Sequence, residues 1–209
     1  MVAESAPAVE TVYVVDDDAS IRTALDRMFR IAGFAVKTFD SPVTFLEHEH
    51  DAPPCCAVLD LRMPALDGLA LQTRLREAGR MLPVVFITGH GDVPTSVRAM
   101  KTGAIDFIEK PFETEDLIAA VRRAVDASRD SLHTREQLAV LGRNLSSLTP
   151  REKEVFALVA QGLLNKVIAT RLGVAEKTIK VHRGRVMEKM KAGSLAELVR
   201  IAERLDPVK

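Results

Sequence analysis

Val58-Leu59-Asp60-Leu61-Arg62-Met63-Pro64 runs from aliphatic residues into a single carboxylate and breaks at a proline. An acid at the end of one apolar run is commonplace. The same plan recurs, however, where Thr11–Val15 leads straight into Asp16, Asp17 and Asp18. It recurs again where Pro83–Ile87 ends at Thr88, and where Ile105–Ile108 stops just before Lys110-Pro111. With Ala35–Phe39 and Cys56–Leu59, the first 110 residues contain five short, nearly continuous apolar runs, as expected for strands buried on both faces.

Between the runs the apolar period changes from strand-like to helical. Ser20–Ala32 places Ile21, Ala24, Leu25, Met28, Phe29 and Ala32 on one stripe, and Gly33 ends it. Ser41-Pro42 offers an N-cap and a proline at the first helical position. Leu69–Ala78, Pro94–Lys101 (ending near Gly103) and Glu113–Ala127 complete the set. Strands alternating with helices of this length predict an α/β unit with a parallel sheet over residues 10–127. Residues 128–146 are polar and hold no strand; Leu138, Leu141, Leu145 and Leu148 favour a linker helix over a short coiled-coil seam for dimer contact. From 147 to 209 only helical patterns appear: Thr149 to about Gln161, opened by the capping-box sequence Thr149-Pro150-Arg151-Glu152, then Asn165–Leu172, Glu176–Met190 and Ser194–Leu205.

Charge divides the chain at the same place. The protein has 209 residues and no net charge. Residues 1–146 carry 16 basic and 22 acidic side chains, and 147–209 carry 13 and 7. An acidic front and a basic back imply different partners, the basic part suiting nucleic acid. No apolar run reaches the roughly 20 residues that span a bilayer, and the N-terminus lacks the features of a signal peptide. The two cysteines, Cys55 and Cys56, are adjacent and enter a strand, so they read as buried, reduced thiols. A cytoplasmic protein with no membrane partner is expected.

In a doubly wound sheet of order 2-1-3-4-5, ligands sit beyond the carboxyl ends of the strands, where the first and third are neighbours. Asp16, Asp17, Asp60, Thr88 and Lys110 would then meet in one pocket. Crowded carboxylates need a cation or a proton at neutral pH. Mg2+ suits them, because it keeps several waters and takes one or two carboxylates plus a phosphoryl oxygen. A carboxylate beside it can attack phosphorus, as in aspartyl-phosphate chemistry. Asp18 and Asp92 read as helix starts, Asp67 as a turn residue, and His90 as a loop residue near the pocket.

VVDDD, VLDLRMPALDG, VVFITGHGD and DFIEKPF, in this order, resemble a two-component receiver domain, whose fold is flavodoxin-like (βα)5. The resemblance implies that Asp60 is the phosphoacceptor, and that Asp16, Asp17, Asp60 and the backbone carbonyl of Arg62 hold Mg2+. It makes Thr88 the switch hydroxyl, Lys110 the phosphoryl-binding lysine in a cis Lys110-Pro111 bond, and Phe107 the aromatic that turns inward with Thr88. The back of the chain resembles LuxR-type DNA-binding domains through LTPREKEV, GLLNKVIA and KTIKVHRGRVMEKM. This four-helix unit holds a helix-turn-helix with its turn at Gly173-Val174-Ala175. Lys177, Thr178, Lys180, Val181 and Arg183 are expected near the major groove, and His182, Arg185 and Lys189 nearer the backbone. Two positions depart from the family pattern: Ala175 replaces a capping serine, with Val174 and Ile179 available as a hydrophobic staple, and Val167 replaces an acid.

Together these features resemble response regulators of the FixJ–NarL group. The function implied is a non-enzymatic DNA-binding switch. A sensor histidine kinase phosphorylates Asp60, the receiver dimerises, and the chain binds promoter DNA as a homodimer, by analogy activating transcription with RNA polymerase as a further partner. Two alternatives fit less well. A constitutively dimeric regulator with a scaffold receiver leaves the acid set without a purpose. A phosphatase using Asp16 and Asp18 leaves the basic domain idle.

Overall fold

The computed structural model describes residues 9–49, 54–89 and 93–205. His90 and Asp92 lie outside these residues. The chain forms two compact units that divide between Leu132 and His133.

The first unit holds β1 (Thr11–Val15), α1 (Ala19–Ile31), β2 (Ala35–Phe39), α2 (Pro42–Glu47), β3 (Cys55–Asp60), α3 (Gly68–Glu77), β4 (Val84–Thr88), α4 (Val93–Lys101) and β5 (Asp106–Glu109). The strands form one parallel sheet in the order β2-β1-β3-β4-β5. Side chains alternate between its faces. Val12, Val14, Cys56, Val58, Val85 and Ile87 pack with Leu25 and Phe29 of α1 and with Leu117, Ala120, Val121 and Ala124 of the helix after β5. Tyr13, Ala57, Leu59 and Phe86 pack on the opposite face with Phe45, Leu71, Leu75 and Ala99. Both cysteines are free and buried.

Local chemistry sets the helix starts. Asp18 accepts from the Ser20 and Ile21 amides, and Asp67 accepts from Ala70 N at 2.7 Å. Ser41 caps α2 ahead of Pro42. The largest boundary difference from the sequence reading is in the helix after β5, which does not end near Ala127 but runs unbroken as α5 (Thr114–Ser146). No proline interrupts that stretch. Ser128 is buried against the start of β3, where its Oγ accepts from Cys55 N at 3.1 Å.

In the second unit, α6 (Pro150–Ala160), α7 (Asn165–Leu172), α8 (Glu176–Lys189) and α9 (Leu195–Leu205) enclose a core of Val155, Val159, Ile168, Ile179, Val186, Met190 and Leu198. Leu141 and Leu145, from the end of α5, pack on that core. Gly173 closes α7 with φ +66°, a left-handed conformation that needs no Cβ, and so sets the turn into α8. Among the described residues no helix is long and apolar enough to cross a membrane.

Candidate functional sites

Parallel register brings the strand-end residues together. Val15 pairs with Leu59, so the next residues, Asp16 and Asp60, emerge side by side from β1 and β3. Thr88 pairs with Glu109, so Lys110 follows directly beyond the end of β4. The Lys110 ammonium donates to Asp16 Oδ2 and to Asp60 Oδ1, both at 2.9 Å. Arg62 N donates to Asp60 Oδ2 at 2.9 Å, and Asp18 N to Asp16 Oδ1 at 2.8 Å. Thr88 is fully buried, and its carbonyl accepts from Lys110 N at 2.7 Å. The Lys110-Pro111 bond is cis. Phe107 is half-buried on the sheet face that carries Phe86.

The electrostatics follow from this geometry. Burial pushes the Asp60 carboxyl above its usual range; Lys110 and the Arg62 amide oppose the rise without cancelling it, and the Asp16 charge adds to it. For Lys110, burial works against the ammonium, but hydrogen bonds and charge from Asp16 and Asp60 outweigh it and hold its pKa above the lysine value. Asp60 is thus a basic carboxylate, poorly solvated and close to one fixed cation.

The structure sorts the expected acids. Asp16 and Asp60 are buried and converge; Asp17 is exposed beside them. Among the described residues no group of three acid, histidine or cysteine side chains closes tightly enough to hold a metal alone. Two carboxylates at a solvent edge nonetheless suit Mg2+, which completes its shell with water and phosphoryl oxygens. Two supporting residues were not singled out in the sequence. Arg22 donates from a guanidinium NH to the Asp16 carbonyl at 2.8 Å, one helical turn after the acids. Gly68 lies against the end of β3, where a Cβ would come 2.6 Å from the Asp60 carbonyl and 3.0 Å from the Phe86 ring. The Asp67-Gly68 pair at the start of α3 was the available signal for the second.

Beside this site, Phe107, Pro111, Phe112 and Ala119 line a cleft of about 470 Å³ rimmed by Glu109, Glu113 and Asp116. Arg123 pairs there with Asp106.

The second site is the surface of α8. Ile179, Val186 and Met190 bury one stripe of the helix. Lys177, Thr178, Lys180, Val181 and Arg185 are exposed on the other side. His182, Arg183 and Lys189 lie half-buried on the flanks. Arg183 donates to Asn165 Oδ1 at 3.0 Å, and Lys189 donates to Glu152 Oε2 at 2.6 Å and to the Ser147 carbonyl at 3.2 Å. Neither α7 nor α8 has a side-chain N-cap: Leu164 and Ala175 occupy those positions. Val174, partly buried, packs against the core cluster that contains Ile179.

Residues 12–122 match the response regulator receiver domain, and residues 146–202 match the bacterial regulatory proteins of the luxR family. The response regulator protein TmoT of Ectopseudomonas mendocina is 43% identical over 194 residues, covering 93% of this chain and 88% of that protein. The transcriptional regulatory protein FixJ of Bradyrhizobium diazoefficiens is 42% identical over 193 residues, covering 92% and 94%. Among solved structures, the response regulator StyR superposes with a TM-score of 0.81 at 47% identity, covering 94% of this chain and all of that one. Full-length FixJ from B. japonicum superposes with a TM-score of 0.56 at 39% identity, covering 95% and 98%.

Proposed function

Because this chain belongs to the two-component response regulators that join a receiver to a LuxR-type DNA-binding domain, transcriptional regulators and not enzymes, we propose that Asp60 is its phosphoacceptor and α8 its DNA-reading helix. The observation that carries the first assignment is the shared ammonium: Asp16 and Asp60 both reach Lys110 at 2.9 Å beyond the strand ends. The receiver spans residues 10–127, the linker 128–146 and the DNA-binding domain 147–209.

Asp60 offers a carboxylate made basic by burial, and basicity favours attack on phosphorus. A sensor histidine kinase supplies the phosphoryl group. The Asp60–phosphorus bond forms as the bond from phosphorus to the kinase's histidine breaks. Lys110 stays within reach of the transferred group and offsets its charge. Asp16, Asp17, Asp60 and the Arg62 carbonyl would hold Mg2+, which when bound neutralises charge on the phosphoryl oxygens. Thr88, one residue past the Ile87 partner of Asp60, hydrogen-bonds a phosphoryl oxygen, and Phe107 turns inward with it.

The readout is dimerisation through the face of α4, β5 and α5; a cleft lined by Phe107, Pro111, Phe112, Glu113 and Asp116 lies along β5 and α5. A dimer places two α8 helices on paired half-sites and raises their effective concentration there. The protein acts on promoter DNA in the cytoplasm, with RNA polymerase as the downstream partner. The test is DNA affinity of the full chain with and without acetyl phosphate and Mg2+. Treatment should tighten binding by the parent and leave Asp60→Asn unchanged. Equal affinity in all four samples would refute the coupling.

A further inference from the structure

Basic side chains on a DNA-reading helix invite assignment as phosphate contacts. The geometry of α8 separates them into two kinds. At about 100° per residue, Lys177, Val181, Gly184 and Glu188 form the middle of the outward face, opposite the buried Ile179–Val186–Met190 stripe. Arg183 lies on one border of that stripe and Lys189 on the other. Each border residue is held by a different helix.

On one side Arg183 reaches Asn165, the first residue of α7, at 3.0 Å. On the other, Lys189 reaches Glu152 at 2.6 Å. Glu152 is only 2% exposed, so this partner is fixed in the core and is not a surface acid that an ammonium visits at random. The same Glu152 Oε2 also accepts from Thr149 N at 2.9 Å, closing the capping box of α6. Lys189 further donates to the Ser147 carbonyl, in the segment that leads into that box. The ammonium ties the last turn of α8 to the first turn of α6, while the Arg183 guanidinium ties its middle to the start of α7.

Resting on the reading of α8 as the DNA-reading helix, we infer that Arg183 and Lys189 are positioning residues: two stays on opposite flanks that fix the rotation of α8 about its own axis. A helix packed only by Ile179, Val186 and Met190 could roll on an aliphatic surface. A roll of 20° would move every base-reaching side chain together. Lys177, Lys180 and Arg185, exposed away from the buried stripe, are then the basic side chains of α8 left to neutralise DNA phosphate, Lys177 and Lys180 from within the groove.

Salt dependence of binding distinguishes the roles, because each neutralised phosphate contributes about 0.9 to the slope of log K against log salt. The probe is a duplex recovered by the full-length chain from a randomised double-stranded library. Lys189→Met and Arg183→Gln should each weaken binding about tenfold at fixed salt with the slope unchanged. Lys177→Gln should lower the slope by about 0.9. Glu152→Gln removes a negative charge, which by charge alone would tighten binding to DNA; loss of the stay predicts weaker binding instead. Circular dichroism on each variant establishes that the helices are formed. A slope lowered by about 0.9 in Lys189→Met, with Lys177→Gln doing the same, would overturn the positioning role and leave the DNA-reading assignment standing. An unchanged slope in Lys177→Gln as well would overturn both. Tighter binding by Glu152→Gln would also overturn the positioning role.

Discussion

The Lys110 ammonium lies 2.9 Å from Asp60 Oδ1, joining the end of β5 to the end of β3. It is equally close to Asp16. One cation therefore holds together two buried acids that would otherwise repel. Removing it should cost more than a surface ion pair, because the acids cannot turn to water. Lys110→Met is expected to destabilise the receiver by about 3 kcal/mol at pH 7. Urea unfolding measures this. Millimolar Mg2+ should restore part of the loss, since it supplies the missing positive charge; restoration in a Lys110→Met, Asp60→Asn double variant should be smaller.

Asp60 itself is held against its electrostatic preference. Its folded pKa is raised, so the folded state binds its proton more tightly than the unfolded chain. The carboxyl therefore costs stability once pH exceeds the folded pKa, and the cost fades as pH falls toward the ordinary aspartate value. Asp60→Asn should stabilise the receiver at pH 7, and the gain should shrink at pH 4. Paired denaturant curves at the two pH values check the sign.

Glu152 shows the opposite linkage. The Lys189 hydrogen bond first, then the Thr149 amide, pull its carboxyl down from 4.5 to about 2. Its contribution is present above pH 4.5 and is lost as pH falls from there toward 2. The C-terminal unit should lose stability through that window, and Glu152→Gln should flatten the profile. Helical circular dichroism followed against urea at several pH values tests this.

Gly68 is required by space. A Cβ there would sit 2.6 Å from the Asp60 carbonyl, which is backbone and cannot swing aside. Gly68→Ala should destabilise the receiver by about 1–3 kcal/mol and slow modification of Asp60 by acetyl phosphate. Unfolding and the rate of mass gain read the two effects.

The two helices of the helix-turn-helix begin without side-chain caps, and Ala175 already has extended backbone with φ −68° and ψ 146°. Ala175→Ser should place a hydroxyl where the α8 amides can use it and stabilise the C-terminal unit by roughly 0.5–2 kcal/mol. Its thermal unfolding measures the gain.

What could be read in the sequence was whatever local pattern dictates. Apolar runs ending in Asp16, Asp60, Thr88 and Lys110 implied one sheet and one pocket, and the register β1–β3 and β4–β5 assembles Asp16, Asp60 and Lys110 there. The turn at Gly173 and the Thr149–Glu152 box were equally plain, because both are set within four residues. What stayed hidden depends on distant partners. Ser128, just past the expected end of the helix, meets Cys55 from 73 residues earlier. The need for Gly68 comes from a carbonyl eight residues back. The Glu152 partner of Lys189 lies 37 residues away.

Phosphorylation of Asp60 is expected to change the receiver's assembly. Intact mass after incubation with acetyl phosphate and Mg2+, beside Asp60→Asn, with sedimentation velocity on the same samples, tests it directly. The parent alone should gain one phosphoryl group and shift from monomer to dimer. An unmodified parent, or a dimer of equal population in treated, untreated and Asp60→Asn samples, would contradict it and make the receiver a constitutive scaffold.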